Sequence, residues 1–187
     1  ESSSIVCLNM LDFYTAFDAV ILLIVRSPIE VIPSSQAQGV YRRKLVVANP
    51  SLVSGFQYNT IVPNHSFGSI VPFGSEFDAW TRLSETGKVA WRWNMINSKV
   101  LQQLAHIPAH KQRIIRIEDF TYDEYLSLDS LMPLSPLPQK TFDDVRNKRP
   151  GKTGTLRVMR SPAQWTKQER DEVISLTGDT ASILGYD

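Results

Sequence analysis

Arg26 and Ser34 are the residues whose types and spacing best fit a chemical task. Arg26 follows the apolar run Ala19-Val-Ile-Leu-Leu-Ile-Val25, and Ser34 stands eight residues further on, after Ser27-Pro28 and a second proline, Pro33. A run of aliphatics this long reads as a strand covered on both faces, as in a parallel α/β sheet. Arg26 then sits at the strand's carboxyl end, where open α/β sheets hold their ligands. A guanidinium placed there grips anionic oxygens in pairs through its planar fork, which suits a phosphate. An arginine that pairs with a carboxylate at the sheet edge is the alternative, and this segment alone does not separate the two.

A second basic cluster lies near the C-terminus: Arg146, Lys148, Arg149, Lys152, Arg157 and Arg160. Gly151 and Gly154 are interleaved with it, within Arg149-Pro-Gly-Lys-Thr-Gly-Thr155. Glycines bare their backbone N–H groups, and with the basic side chains they could form an anion nest. The Walker spacing Gly-x-x-x-x-Gly-Lys is absent and no apolar strand precedes the segment, so it is not a P-loop. Read by itself, the segment is a solvated basic loop. The three histidines are His65, His106 and His110. His106 and His110 flank Pro108 at a predicted helix end, where capping or exposure is the default. His65 lies in an irregular stretch, and none of the three is assigned a catalytic role.

The rest of the chain must position these groups. It has 187 residues, enough for one domain with a real core. A net charge of +1 leaves no global field for nucleic acid or an anionic membrane, so any anion site is local. One cysteine, Cys7, excludes an internal disulfide framework and fits a reducing, cytoplasmic compartment. The apolar segment 19–25 is too short to cross a bilayer and lacks the flanks of a signal peptide. The chain opens on Glu1 rather than Met, as a trimmed or partial version of a longer protein would.

A short helix is predicted around Leu8 to Phe17, then the strand 19–25, then a helix opened by Pro28 in its first turn. Residues 49–76 are rich in turn formers and read as a long irregular stretch. Trp80 to Ala105 reads as one long helix with two apolar faces, Trp91 on one and Trp93, Val100 and Leu104 on the other. Core packing is the favoured role for both tryptophans over stacking on a ligand base. Arg113 to Phe120 reads as a second strand ending in the acidic pair Glu118-Asp119, and 121–131 as a short helix. Ser161-Pro162 has the cap and first-turn chemistry that opens a terminal helix, which runs to Leu184-Gly185-Tyr186.

In order and spacing these pieces resemble the bacterial-type sulfotransferases that use 3'-phosphoadenosine 5'-phosphosulfate. The strand with Arg26 and Ser34, the tryptophan-bearing helix, Arg116-Ile-Glu-Asp-Phe120, the loop Arg149-Pro-Gly-Lys152 and the closing Leu184-Gly185-Tyr186 are similar to that family's elements over most of 19–187. The resemblance implies an α/β fold with a parallel sheet flanked by helices, the P-loop-NTPase-like sulfotransferase fold, truncated at its N-terminus, as a single domain over 1–187. It implies that Arg26 and Ser34 bind the nucleotide's 3'-phosphate and that Arg149, Gly151 and Lys152 close over it. It implies sulfuryl transfer to a hydroxyl or amine on a small-molecule or glycan acceptor. Nucleic acid, membrane and metal are not among the implied partners, and homo-oligomerisation is left open.

Two family elements have no counterpart upstream of residue 19: the first strand and the Lys-Ser-Gly-Thr-like loop that wraps the phosphosulfate and carries a catalytic lysine. The family's catalytic base also falls in that part. The chain then carries the 3'-phosphate half of the site, with residues 49–80 lining part of the acceptor pocket. A non-catalytic domain that binds nucleotide or a partner is the alternative reading. A kinase is a third, but it lacks a Walker loop.

Overall fold

Strand β1, Ile21–Val25, pairs in parallel with β2, Gln112–Arg116, in the register Ile21↔Gln112 through Val25↔Arg116. The computed structural model describes residues 6–37, 40–41, 71–72, 74–133, 135–147 and 160–186. Among these, the two strands form the whole sheet, and helices flank it in sequence. The chain is therefore α/β, mostly helical, with a small parallel sheet. Parallel neighbours need a long crossover, and here it contains α2 (Pro28–Ala37), α3 (Ser75–Thr81) and α4 (Glu85–Leu104). The chain divides into two compact units, residues 1–27 with 96–155 and residues 28–95 with 156–187. The division falls inside α4.

The first unit holds the sheet together with α1 (Met10–Phe17), α5 (Tyr122–Ser127) and α6 (Gln139–Asn147). Asp18 ends α1 in the left-handed conformation at φ 49°, and its N–H returns to the Tyr14 carbonyl. The Asp18 carboxylate then meets Lys111 Nζ at 2.6 Å. Gln112 Nε2 donates to the carbonyls of Leu104 (2.8 Å) and Ile107 (2.5 Å), so the end of α4 is pinned to the start of β2. Phe142 of α6 is buried against Phe120, Tyr122 and Tyr125, with ring centroids 5.4–5.7 Å apart.

The second unit is built around Ile32, Tyr41, Val71, Trp80, Val89, Ala90, Trp165 and Val173. Helix α7, Lys167–Ile183, supplies Val173. Trp80 takes the edge of Tyr41 at 5.3 Å and of Trp91 at 6.2 Å and stacks on Phe77 at 5.7 Å. Trp93 is buried and Trp91 is half-buried against this core, so both α4 tryptophans pack inward, as the sequence favours.

Four sequence expectations need correction. β1 is shorter than 19–25 and is not covered on both faces: Leu23 and Val25 are buried, but Ile24 is 59% exposed. A two-stranded sheet offers too little neighbouring surface to cover a strand twice. The predicted helix 80–105 is two helices, because Ser84 breaks the run and caps α4 by accepting the Gly87 N–H at 2.9 Å. β2 stops at Arg116, and Ile117–Asp119 turn away, with the Asp119 N–H on the Arg116 carbonyl. Ser161-Pro162 opens only a 3₁₀ turn, Pro162–Gln164; α7 has its own cap, Thr166. The closing Leu184-Gly185-Tyr186 is a Schellman terminator: Gly185 lies at φ 78°, and the Gly185 and Tyr186 N–H groups return to the Ser182 and Ala181 carbonyls. No helix among the described residues is long and apolar enough to cross a membrane.

Candidate functional site

The carboxyl end of the sheet gathers three segments of the first unit around one residue, Glu118. Val25, the last residue of β1, accepts the Ile117 N–H on its carbonyl at 3.0 Å, one residue beyond β2. Ser27, next to the exposed Arg26, donates its N–H to Glu118 Oε1 at 2.7 Å. The Glu118 carbonyl accepts Arg146 Nη2, from the last turn of α6, at 3.3 Å. Arg116 pairs with Asp119 at 2.5 Å. The sheet end thus carries the guanidiniums of Arg26, Arg116 and Arg146 against two carboxylates, Glu118 and Asp119. Guanidinium groups at the carboxyl end of parallel strands suit an anionic oxygen group.

The predicted site residues are placed as follows. Arg26 lies at this sheet end. Ser34 is half-buried in α2 and belongs to the second unit. Arg149, Gly151 and Lys152 lie outside the described residues, as do Lys148, Arg157 and His65. Two members of the basic cluster are described, and they have separate roles. Arg146 reaches the Glu118 carbonyl, whereas Arg160 binds Glu169 in the second unit through Nη1–Oε1 at 2.6 Å and Nη2–Oε2 at 2.8 Å. His106 and His110 are exposed. No cluster of three metal-ligating side chains occurs among the described residues.

The Arg160–Glu169 pair belongs to a buried polar chain that the sequence reading missed. Gln36 Nε2 donates to Thr86 Oγ1 at 3.0 Å, and Thr86 Oγ1 donates to Glu169 Oε1 at 2.8 Å. Glu169 also closes a capping box with Thr166, accepting its N–H at 2.7 Å. Burial pushes the Glu169 carboxyl up, but the bonds from Arg160, Thr166 and Thr86 outweigh it and bring the pKa to about 2. The signal is present in Thr166-x-x-Glu169, a capping-box spacing, which the cap chemistry of Ser161-Pro162 precedes by five residues.

A groove of about 570 Å³ in the first unit runs along Gln112, Arg113 and Ile114. It lies at the amino end of β2, the end away from Glu118, where parallel sheets do not hold their ligands.

No family model, no curated protein and no solved structure matches this chain.

Proposed function

We propose that the chain is the 3'-phosphate-binding part of a sulfotransferase that uses 3'-phosphoadenosine 5'-phosphosulfate, in the P-loop-NTPase-like fold, with Arg26 as the primary anion ligand. The observation that carries this reading is the double engagement of Glu118. Its carboxylate takes the amide next to Arg26, and its carbonyl takes Arg146, three residues before Arg149 in the chain. Glu118 thus links the Arg26–Ser27 turn to the last turn of α6. Ser34, Arg149, Gly151 and Lys152 are the further ligands that the resemblance implies.

The chemistry of such a site is positioning and charge stabilisation. A sulfuryl group moves in line from the nucleotide to an acceptor hydroxyl or amine, and grip on the remote 3'-phosphate fixes the donor for that transfer. Arg26 and its neighbours supply this grip without metal. Calorimetric titration with adenosine 3',5'-bisphosphate tests the reading. Wild type binds, and Arg26→Ala loses about thirtyfold, the loss expected for one charged hydrogen-bonding partner worth about 2 kcal/mol. Equal affinity in the two proteins, or no binding by wild type, rejects it.

A further inference from the structure

We propose that Glu118 is a positioning residue that sets the Arg26–Ser27 turn for anion binding, an inference that rests on the nucleotide reading above. The turn leaves β1 without further strand pairing after Val25, whose carbonyl takes the Ile117 N–H. Two residues on, the Ser27 N–H is held by a side chain, Glu118 Oε1, at 2.7 Å. An N–H bonded to a carboxylate is charge-assisted and stronger than a neutral bond. Glu118 is itself fixed from the other side, because its carbonyl accepts Arg146 Nη2. Arg26 is thus flanked by a tethered carbonyl on one side and a tethered amide on the other.

Charge and position make opposite predictions at this residue. A carboxylate beside an anion site repels the anion, so if Glu118 acted through charge alone its neutralisation would tighten binding. If it acts by holding Ser27, what matters is the oxygen and its reach. Glu118→Gln keeps an acceptor at the same reach and drops the charge. Glu118→Asp keeps the charge and withdraws the oxygen by one methylene. Both are mild changes at an exposed position.

The experiment measures adenosine 3',5'-bisphosphate affinity by calorimetry and Ser27 amide exchange by NMR in wild type, Glu118→Gln and Glu118→Asp, with thermal melting alongside. The expected result is near-wild-type affinity and exchange in Glu118→Gln. In Glu118→Asp, affinity falls and Ser27 exchange rises, each about tenfold. Tighter binding in Glu118→Gln together with unchanged Glu118→Asp overturns the proposal, as does equal weakening in both. If wild type does not bind the nucleotide, the nucleotide reading fails and Ser27 exchange decides alone. Faster exchange in Glu118→Asp only upholds the clamp, and equal exchange in all three proteins overturns it.

Discussion

Arg160 and Glu169 form a two-pronged ion pair, Nη1 on Oε1 and Nη2 on Oε2, with the carboxylate nearly buried and the guanidinium partly exposed. Planar fork meets planar carboxylate, the strongest geometry available to such a pair. The same carboxylate takes the Thr166 amide and the Thr86 hydroxyl, so three groups of the second unit depend on one ionised side chain.

The first prediction concerns acid. Glu169 has a folded pKa of about 2 against an ordinary 4.5. A depressed carboxylate stabilises the fold fully above its unfolded value and loses that contribution as pH falls through the folded one. The loss therefore falls between about pH 4.5 and pH 2. Glu169→Gln should be less stable than wild type at neutral pH and show a flatter dependence of the urea midpoint across that window. Parallel wild-type and variant curves would rule this out.

The second prediction separates Arg160 from the anion site. Its guanidinium is engaged by Glu169 and by the Gln164 carbonyl at 2.6 Å, so it has little left for a ligand. Arg160→Ala leaves Glu169 without its ionic partner and should cost about 2 kcal/mol of stability, less than for a fully buried pair because Arg160 is partly exposed. Its affinity for adenosine 3',5'-bisphosphate should stay within about twofold of wild type, where Arg26→Ala loses far more. A large affinity loss at Arg160 would put it in the site.

What the sequence made legible follows the range of the interaction. β1, α2 with Pro28 at its first position, β2 and α5 come from local patterns of aliphatic runs, proline placement and capping residues. The break between α3 and α4 was not legible. It depends on Ser84 being held by Glu172, 88 residues away in sequence. The same holds at the candidate site. Arg26 stands out by type and position, but the role of Glu118 rests on a bond to Ser27 across 91 residues. Clustering of charge in sequence also misled: Arg146 and Arg160 read as one basic group and belong to different units.

The third prediction concerns alkali. Tyr41 is buried at φ 59°, with its ring edge against Trp80. Burial pushes its phenol above the ordinary value of 10, and the charge of Arg92 offsets this only in part. A raised acid stabilises the fold below its unfolded pKa, and the contribution fades as pH rises above about 10. Tyr41→Phe cannot ionise, so its stability should fall less steeply than that of wild type above pH 10. Equal alkaline slopes in melting experiments would show that Tyr41 is not a source of that loss.

The last prediction turns on Gly87, the third residue of α4. Glycine inside a helix costs up to about 1 kcal/mol relative to alanine, so Gly87→Ala looks stabilising from sequence. The structure reverses the sign. A Cβ at this position would lie 2.3 Å from Glu172 Oε2. That carboxylate is held by the Ser84 N–H, at 3.3 and 3.2 Å to its two oxygens, by the Ser84 hydroxyl, and by Gln168 Nε2 at 2.9 Å. Making room for the methyl group means moving the carboxylate off the residue that caps α4. Losing those bonds costs about 1–3 kcal/mol, which exceeds the gain in helix propensity. Gly87→Ala should therefore destabilise by about 1 kcal/mol in the wild-type background. In Glu172→Ala the obstruction is gone, and the same substitution should stabilise by up to about 1 kcal/mol. A double-mutant cycle read by urea denaturation measures this change of sign. The same effect of Gly87→Ala in both backgrounds would mean that the carboxylate moves freely and that Glu172 does not hold the start of α4.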